Sequence, residues 1–82
     1  MEKQLAIIKN VGFGCRDIGS VVLWFSTYIN DHSAALQVLS IEEAIKLIED
    51  YQVYDVHNLE GKACFVLVGN NTIRYDSPCI IK

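Results

Sequence analysis

Strand-like runs of apolar side chains, read at period two, govern the first forty residues. From Ser20 to Ile29, Val21, Leu23, Phe25 and Ile29 fall on one face at period two, and Val22, Trp24, Ser26 and Tyr28 fall on the other. Apolar groups on both faces predict a central strand, or one whose second face meets a helix or a partner. Leu5 to Val11 reads as an earlier strand, with Met1 to Lys3 frayed ahead of it. Gly12-Phe13-Gly14 ends that strand, since glycines permit backbone angles that other residues avoid, and Arg16 to Gly19 reads as a turn. Asn30-Asp31-His32-Ser33 is a polar turn, after which Ala34 to Leu39 returns as a third strand.

At Ser40 the period changes. Ser40-Ile41-Glu42-Glu43 is a capping box: the serine hydroxyl accepts from the amide of Glu43, and the Glu43 carboxylate reaches back. Ile41, Ala44, Ile45, Ile48 and Tyr51 follow at helical spacing, which predicts one buried stripe under a charged outer face. Glu42 and Lys46 form an i, i+4 pair on that face. Val53 to Glu60 fits either an irregular connection or a short helical turn anchored by Val56 and Leu59 and closed by Gly61. Lys62 to Val68 is a dense strand, Gly69-Asn70-Asn71 a hairpin turn, and Thr72 to Tyr75 the return. Pro78 punctuates the chain before Cys79-Ile80-Ile81, a short last edge segment. The order is β-β-β-α-β-β: a curled antiparallel sheet of about five strands with one helix packed on it, an α+β fold in a single domain over residues 1–82.

Composition sharpens this picture. At 51% hydrophobic over 82 residues, with ten Ile and eight Val, the chain is too apolar for disorder and favours pleated sheet. A domain of this size buries only about 60–65% of its unfolded surface. More greasy and aromatic side chains are present than such an interior holds, so some are expected to meet a partner or a second copy, as in a homodimer. No apolar run reaches the length of a membrane span and no signal peptide opens the chain, so a cytoplasmic setting is expected, with Cys15, Cys64 and Cys79 as reduced thiols. The net charge of −3 argues against general nucleic-acid binding. It is unevenly spread: residues 42–60 carry Glu42, Glu43, Glu49, Asp50, Asp55 and Glu60 against Lys46 alone, and the remainder is mildly basic. That split is either a solvated helix face or a docking surface for a basic partner.

Three sets of residues have a site-like character. In Gly12-Phe13-Gly14-Cys15-Arg16 the glycines bring backbone amides close to anything bound, and Arg16 adds a fork of donors to a phosphate or carboxylate. The stretch lacks the Lys-Ser/Thr of a P-loop and the third glycine of a dinucleotide fingerprint, and a bulge or turn between strands explains the glycines equally well. Trp24 and Tyr28 share one strand face, with Tyr54 and Tyr75 as the other aromatic hydroxyls. Under the helix they are core with a polar handle; on an open face beside Arg16 or Arg74 they are the aromatic anchors of a binding hot spot. His32, His57 and the cysteines lack the local spacing of metal ligands, and neither a metal nor a cofactor is expected. Their order gives no support to a thiol nucleophile either.

The series GFGCRD (12–17), AALQVL (34–39), LEGKACFVLV (59–68) and NTIRY (71–75) resembles small phage or prophage accessory proteins. The resemblance spreads over most of the chain and transfers no catalytic residue. It implies a stand-alone intracellular protein that works by contact, as inhibitors of bacterial immunity do when they block a nuclease complex or soak up a nucleotide signal. The expected function is therefore a small non-enzymatic protein-binding module acting by occlusion through Phe13, Arg16, Trp24, Tyr28, Arg74 and Tyr75. The alternatives are a protein that sequesters a nucleotide or other anion, with Gly12, Gly14 and Arg16 on phosphate and Trp24, Tyr28 or Tyr75 stacked on a base, and a cysteine-dependent enzyme.

Overall fold

The alternating segments form five antiparallel strands: β1 (Glu2–Asp17), β2 (Ser20–Asn30), β3 (Ser33–Ser40), β4 (Ala63–Gly69) and β5 (Thr72–Pro78). Their order in the sheet is β3-β2-β1-β4-β5. Helix α1 (Ile41–Tyr51) packs on β2, β3 and β5, and a 3-10 helix at Val56–Leu59 lies against β1. This is the expected β-β-β-α-β-β, α+β architecture. The computed structural model describes residues 2–17 and 19–79, with the side chains of residues 16 and 17 outside that description.

Strand β1 is a shared rail. Its first part, Glu2–Ile7, pairs with β4, and Ile7–Asp17 pairs with β2. The two halves of the sheet therefore overlap only around Ile7, and this stagger lets the sheet curl into a half-barrel. Ladder pairing with β4 holds Glu2 and Lys3 in the strand, so the expected fraying there does not occur; Met1 lies outside the described residues. Nor do the glycines end β1. The strand breaks register earlier, at a bulge between Lys9 and Gly12, where Asn10 takes the left-handed conformation (φ 56°) that asparagine tolerates. The extra residue shifts the alternation, so that Ala6 and Ile8 before the bulge and Val11 after it all face the core. Glu60 Oε1 accepts from the Val11 amide at 3.1 Å and satisfies backbone that the bulge frees.

The core lies between the sheet and α1. Ala6, Ile8, Leu23, Phe25, Leu39, Leu59, Cys64 and Val66 are buried with Ala44 and Leu47 of the helix. On β2 the inward set is Leu23, Phe25 and Thr27; Val21 stays exposed at the strand's start. Ser40 ends β3 and caps α1, with the capping box formed in both directions. The buried stripe is rotated from the sequence expectation: Ala44 and Leu47 are buried, Ile48 and Tyr51 half-buried, and Ile41 and Ile45 exposed. A helix that follows β3 without a linker has its rotation fixed by the cap, and Leu47 rather than Ile45 then points down. Glu42 and Lys46 do not meet; among the described residues Lys3 pairs with Asp76, and the His57 ring hydrogen-bonds the Asp55 carboxylate. Residues 56–59 form the short helical turn, followed by Gly61 at φ 82°. Strand β5 runs beyond Tyr75 to Pro78, and Ile80 and Ile81 of the expected last segment lie outside the described residues.

One polar side chain links the two edges of the sheet. Gln37 of β3 is only 9% exposed; its Nε2 donates to the Ile73 carbonyl at 2.9 Å, and its Oε1 accepts from the Tyr75 amide at 3.1 Å. The amide thus meets β5 as the backbone of a neighbouring strand would. Nε2 also donates to Thr27 Oγ1 at 3.3 Å, and that hydroxyl donates to the Ala35 carbonyl. A glutamine buried in a β-branched core would otherwise cost desolvation of both ends of its amide.

Candidate interaction surface

The register places residues in rows across the face turned away from α1. Gly12, Trp24 and Val38 lie opposite one another; Gly14, Val22 and Ser40 form the next row. On the other side come Lys9, Ser26 and Leu36, then Ala63, Ile7, Tyr28 and Ala34. Leu5 faces Phe65, and Lys3, Leu67 and Arg74 complete the far corner. Most of these side chains are apolar. Antiparallel sheets that meet water on one side ordinarily alternate polar outward, and this one does not. Leu36 is 65% exposed and Leu5 52%, while Val22, Trp24, Leu36 and Val38 line a shallow apolar depression.

Trp24 decides the meaning of the Gly12-Phe13-Gly14 motif. Its indole lies flat on β1, so that a Cβ on Gly12 would sit inside the ring, whereas one on Gly14 would clear Trp24 Cη2 by 3.7 Å. Both glycines are in extended strand without positive φ. Glycine is required at position 12 because the ring covers it, a close approach that rigidifies the indole and half-buries it. This stretch is paired with β2 alone, because β4 reaches only Glu2–Ile7, and the indole covers its outer face at Gly12. The reading of Arg16 concerns a side chain outside those described.

Positive charge surrounds the apolar surface. Lys9 Nζ lies 5.0 Å from the Tyr28 ring centroid, and Lys3 Nζ lies 4.9 Å from that of Phe65 while pairing with Asp76 at 3.3 Å. Arg74 is exposed on the same face. Carboxylates Glu42, Glu43, Glu49 and Asp50 sit on α1, in the other layer. Among the described residues, α1 thus holds four of the carboxylates of 42–60, and Lys3, Lys9 and Arg74 stand on the sheet.

The structure separates the expected site residues. Trp24, Tyr28 and Arg74 share the outer face. Phe13 is exposed on the helix side of the sheet, and Tyr75 is turned inward, its ring edge-on to Phe25 with centroids 5.8 Å apart. A base stacked on both Trp24 and Tyr75 is therefore not possible. Leu36, Val38 and Leu5 belong to the surface and escaped the sequence reading; the alternation of 34–39 held the signal, because Leu36 and Val38 share a parity opposite to Gln37 and Leu39.

The chain matches no family model, no curated protein and no solved structure. Nothing beyond its own geometry therefore assigns its residues a role. Among the described residues no three His, Cys, Asp or Glu side chains gather as metal ligands, and no helix is long and apolar enough to cross a membrane. Cys15 is exposed near the β1–β2 hairpin and His32 sits in the β2–β3 turn, at opposite ends of the eleven-residue β2. At ~3.3 Å per residue that is roughly 30 Å, too far for a thiol and its base. Burial pushes the Cys64 thiol up to about 12 and the Tyr51 hydroxyl likewise to about 12, so neither ionises near neutrality. The Tyr51 hydroxyl donates to the Ala63 carbonyl and accepts from the Cys79 amide, tying α1 to β4 and the end of β5. His57 is exposed, and its amide and ring hold the Asp55 carboxyl below its usual value.

Proposed function

We propose that the chain is a small non-enzymatic protein-binding module that acts by occlusion, in the manner of phage-encoded inhibitors of a host enzyme or defence complex. One observation carries this reading: the outer face of the sheet is apolar, uncovered and organised around an indole seated on Gly12. A half-buried tryptophan with a rigid backing and an apolar surround is the anchor type that dominates interface energetics. Lys3, Lys9 and Arg74 would orient a partner by charge while Trp24, Leu36 and Val38 bury against it.

The test is capture of the tagged protein's partner from the cells that carry the chain. Wild type and Leu36→Glu are compared after circular dichroism has shown equal folding. A protein retained by wild type and lost with Leu36→Glu supports the reading. Equal retention by both overturns it, and a nucleotide released from the denatured wild-type protein in stoichiometric amount would replace it with anion sequestration.

A further inference from the structure

Two of the surfaces that expose apolar side chains carry opposite charge. One is the outer sheet face with Leu36, Val38 and half-buried Trp24, bearing Lys3, Lys9 and Arg74. The other lies on α1. The cleft between α1 and β5 is lined by Glu43, Lys46, Leu47 and Asp50, so at 100° per residue Ile41 and Ile45 occupy the opposite flank, with Glu42 and Glu49 beside them. Ile41 is 42% exposed and Ile45 50%.

We infer that the chain self-associates head to tail, the Ile41/Ile45 flank of one copy docking on the Trp24/Leu36/Val38 face of the next. This rests on the reading of the outer face as a docking surface and names a second copy as its occupant. Charge complementarity selects the pairing. Sheet face on sheet face sets lysines against lysines, and helix flank on helix flank sets carboxylates against carboxylates, whereas the mixed contact brings Glu42 and Glu49 toward Lys9 and its neighbours. It also supplies the layer that the sheet lacks, since a helix then covers each of its faces. The two surfaces lie in opposite layers, so the contact is heterologous and propagates into a ring or an open chain.

Sedimentation equilibrium over a range of protein concentrations tests this with wild type, Leu36→Glu and Ile45→Glu; both substitutions are at exposed positions, and circular dichroism checks that folding is retained. Wild type is expected to gain mass with concentration, and each variant alone to remain monomeric. An equimolar mixture of the two variants is expected to form a dimer and nothing larger, because one keeps its helix flank and the other its sheet face. A wild type that stays monomeric throughout overturns self-docking, while the occlusion reading stands or falls on partner capture alone. Association by either variant by itself overturns the heterologous pairing.

Discussion

The two faces of this sheet are built from nearly the same side chains and have opposite fates. Inward, Leu23, Phe25, Leu39 and Val66 meet Ala44 and Leu47 and lose almost all contact with water. Outward, Val22, Trp24, Leu36 and Val38 line a shallow open depression, with the Trp24 ring resting on Gly12. Apolar composition alone therefore does not say which residues are core. One short helix covers one face, and what lies on the other is a surface. Replacing a ring on each face breaks the comparison most sharply. Phe25→Ala should lose roughly 3–5 kcal/mol of stability by urea denaturation, because the fully buried ring leaves a cavity that Tyr75 and Ile8 cannot fill. Trp24→Ala should lose less than about half of that, since its ring is partly in water already. An equal loss for both would mean that the outer face is as tightly packed as the inner.

The glycines sharpen the comparison within one strand. Gly12→Ala forces the indole off β1 and should cost about 1–3 kcal/mol, with Trp24 emission shifted to the red. Gly14→Ala places its methyl in ordinary contact with the ring and reduces the freedom of the unfolded chain, so it should be neutral or stabilising by up to ~1 kcal/mol. If the two variants behave alike, Trp24 does not rest where Gly12 requires it.

At the seam, Gln37→Leu keeps the volume and removes the amide. The Ile73 carbonyl and Tyr75 amide then lose their partner, at a cost of about 1–3 kcal/mol. The freed β5 edge should also take up deuterium faster at Tyr75 than in the wild type. Unchanged exchange there would show that water already reaches the edge.

Alkaline titration probes the covered face without mutation. Cys64 and Tyr51 are both held protonated in the folded state, with pKa values raised from 9.0 and 10.0 to about 12 by burial. The unfolded chain therefore releases these protons first, and stability is full below about pH 9 and falls as pH rises toward 12. Cys64→Ala and Tyr51→Phe should each flatten that fall in a plot of urea midpoint against pH.

The succession of strands along the chain, the helix and its cap were legible because each depends on neighbours in sequence: parity for the strands, and the Ser40/Glu43 box for the helix start. What failed depended on neighbours in space. The Gly12-Phe13-Gly14 stretch resembles a loop until Trp24 is seen lying on it, and the two stretches are joined only by register. Ile45 fits the helical stripe as well as Leu47 does; the direction in which β3 hands over to α1 chooses between them. The role of Gln37 was invisible for the same reason, since its partners on β5 lie thirty-six and thirty-eight residues away.

The smallest expected effect isolates the comparison at a single residue type. Leu36 and Leu39 are three positions apart on β3, one outward and one inward. Leu39→Ala should cost about 2–5 kcal/mol, as a buried leucine does. Leu36→Thr exchanges an exposed branched side chain for one that suits an edge strand equally well, so its stability should stay within about 0.5 kcal/mol of wild type. The measurement that matters is the pair of urea midpoints at protein concentrations low enough to hold the chain monomeric. If Leu36→Thr is destabilising under those conditions, the outer face is packed within one chain, and the apolar surface assigned to a partner belongs to the protein's own interior.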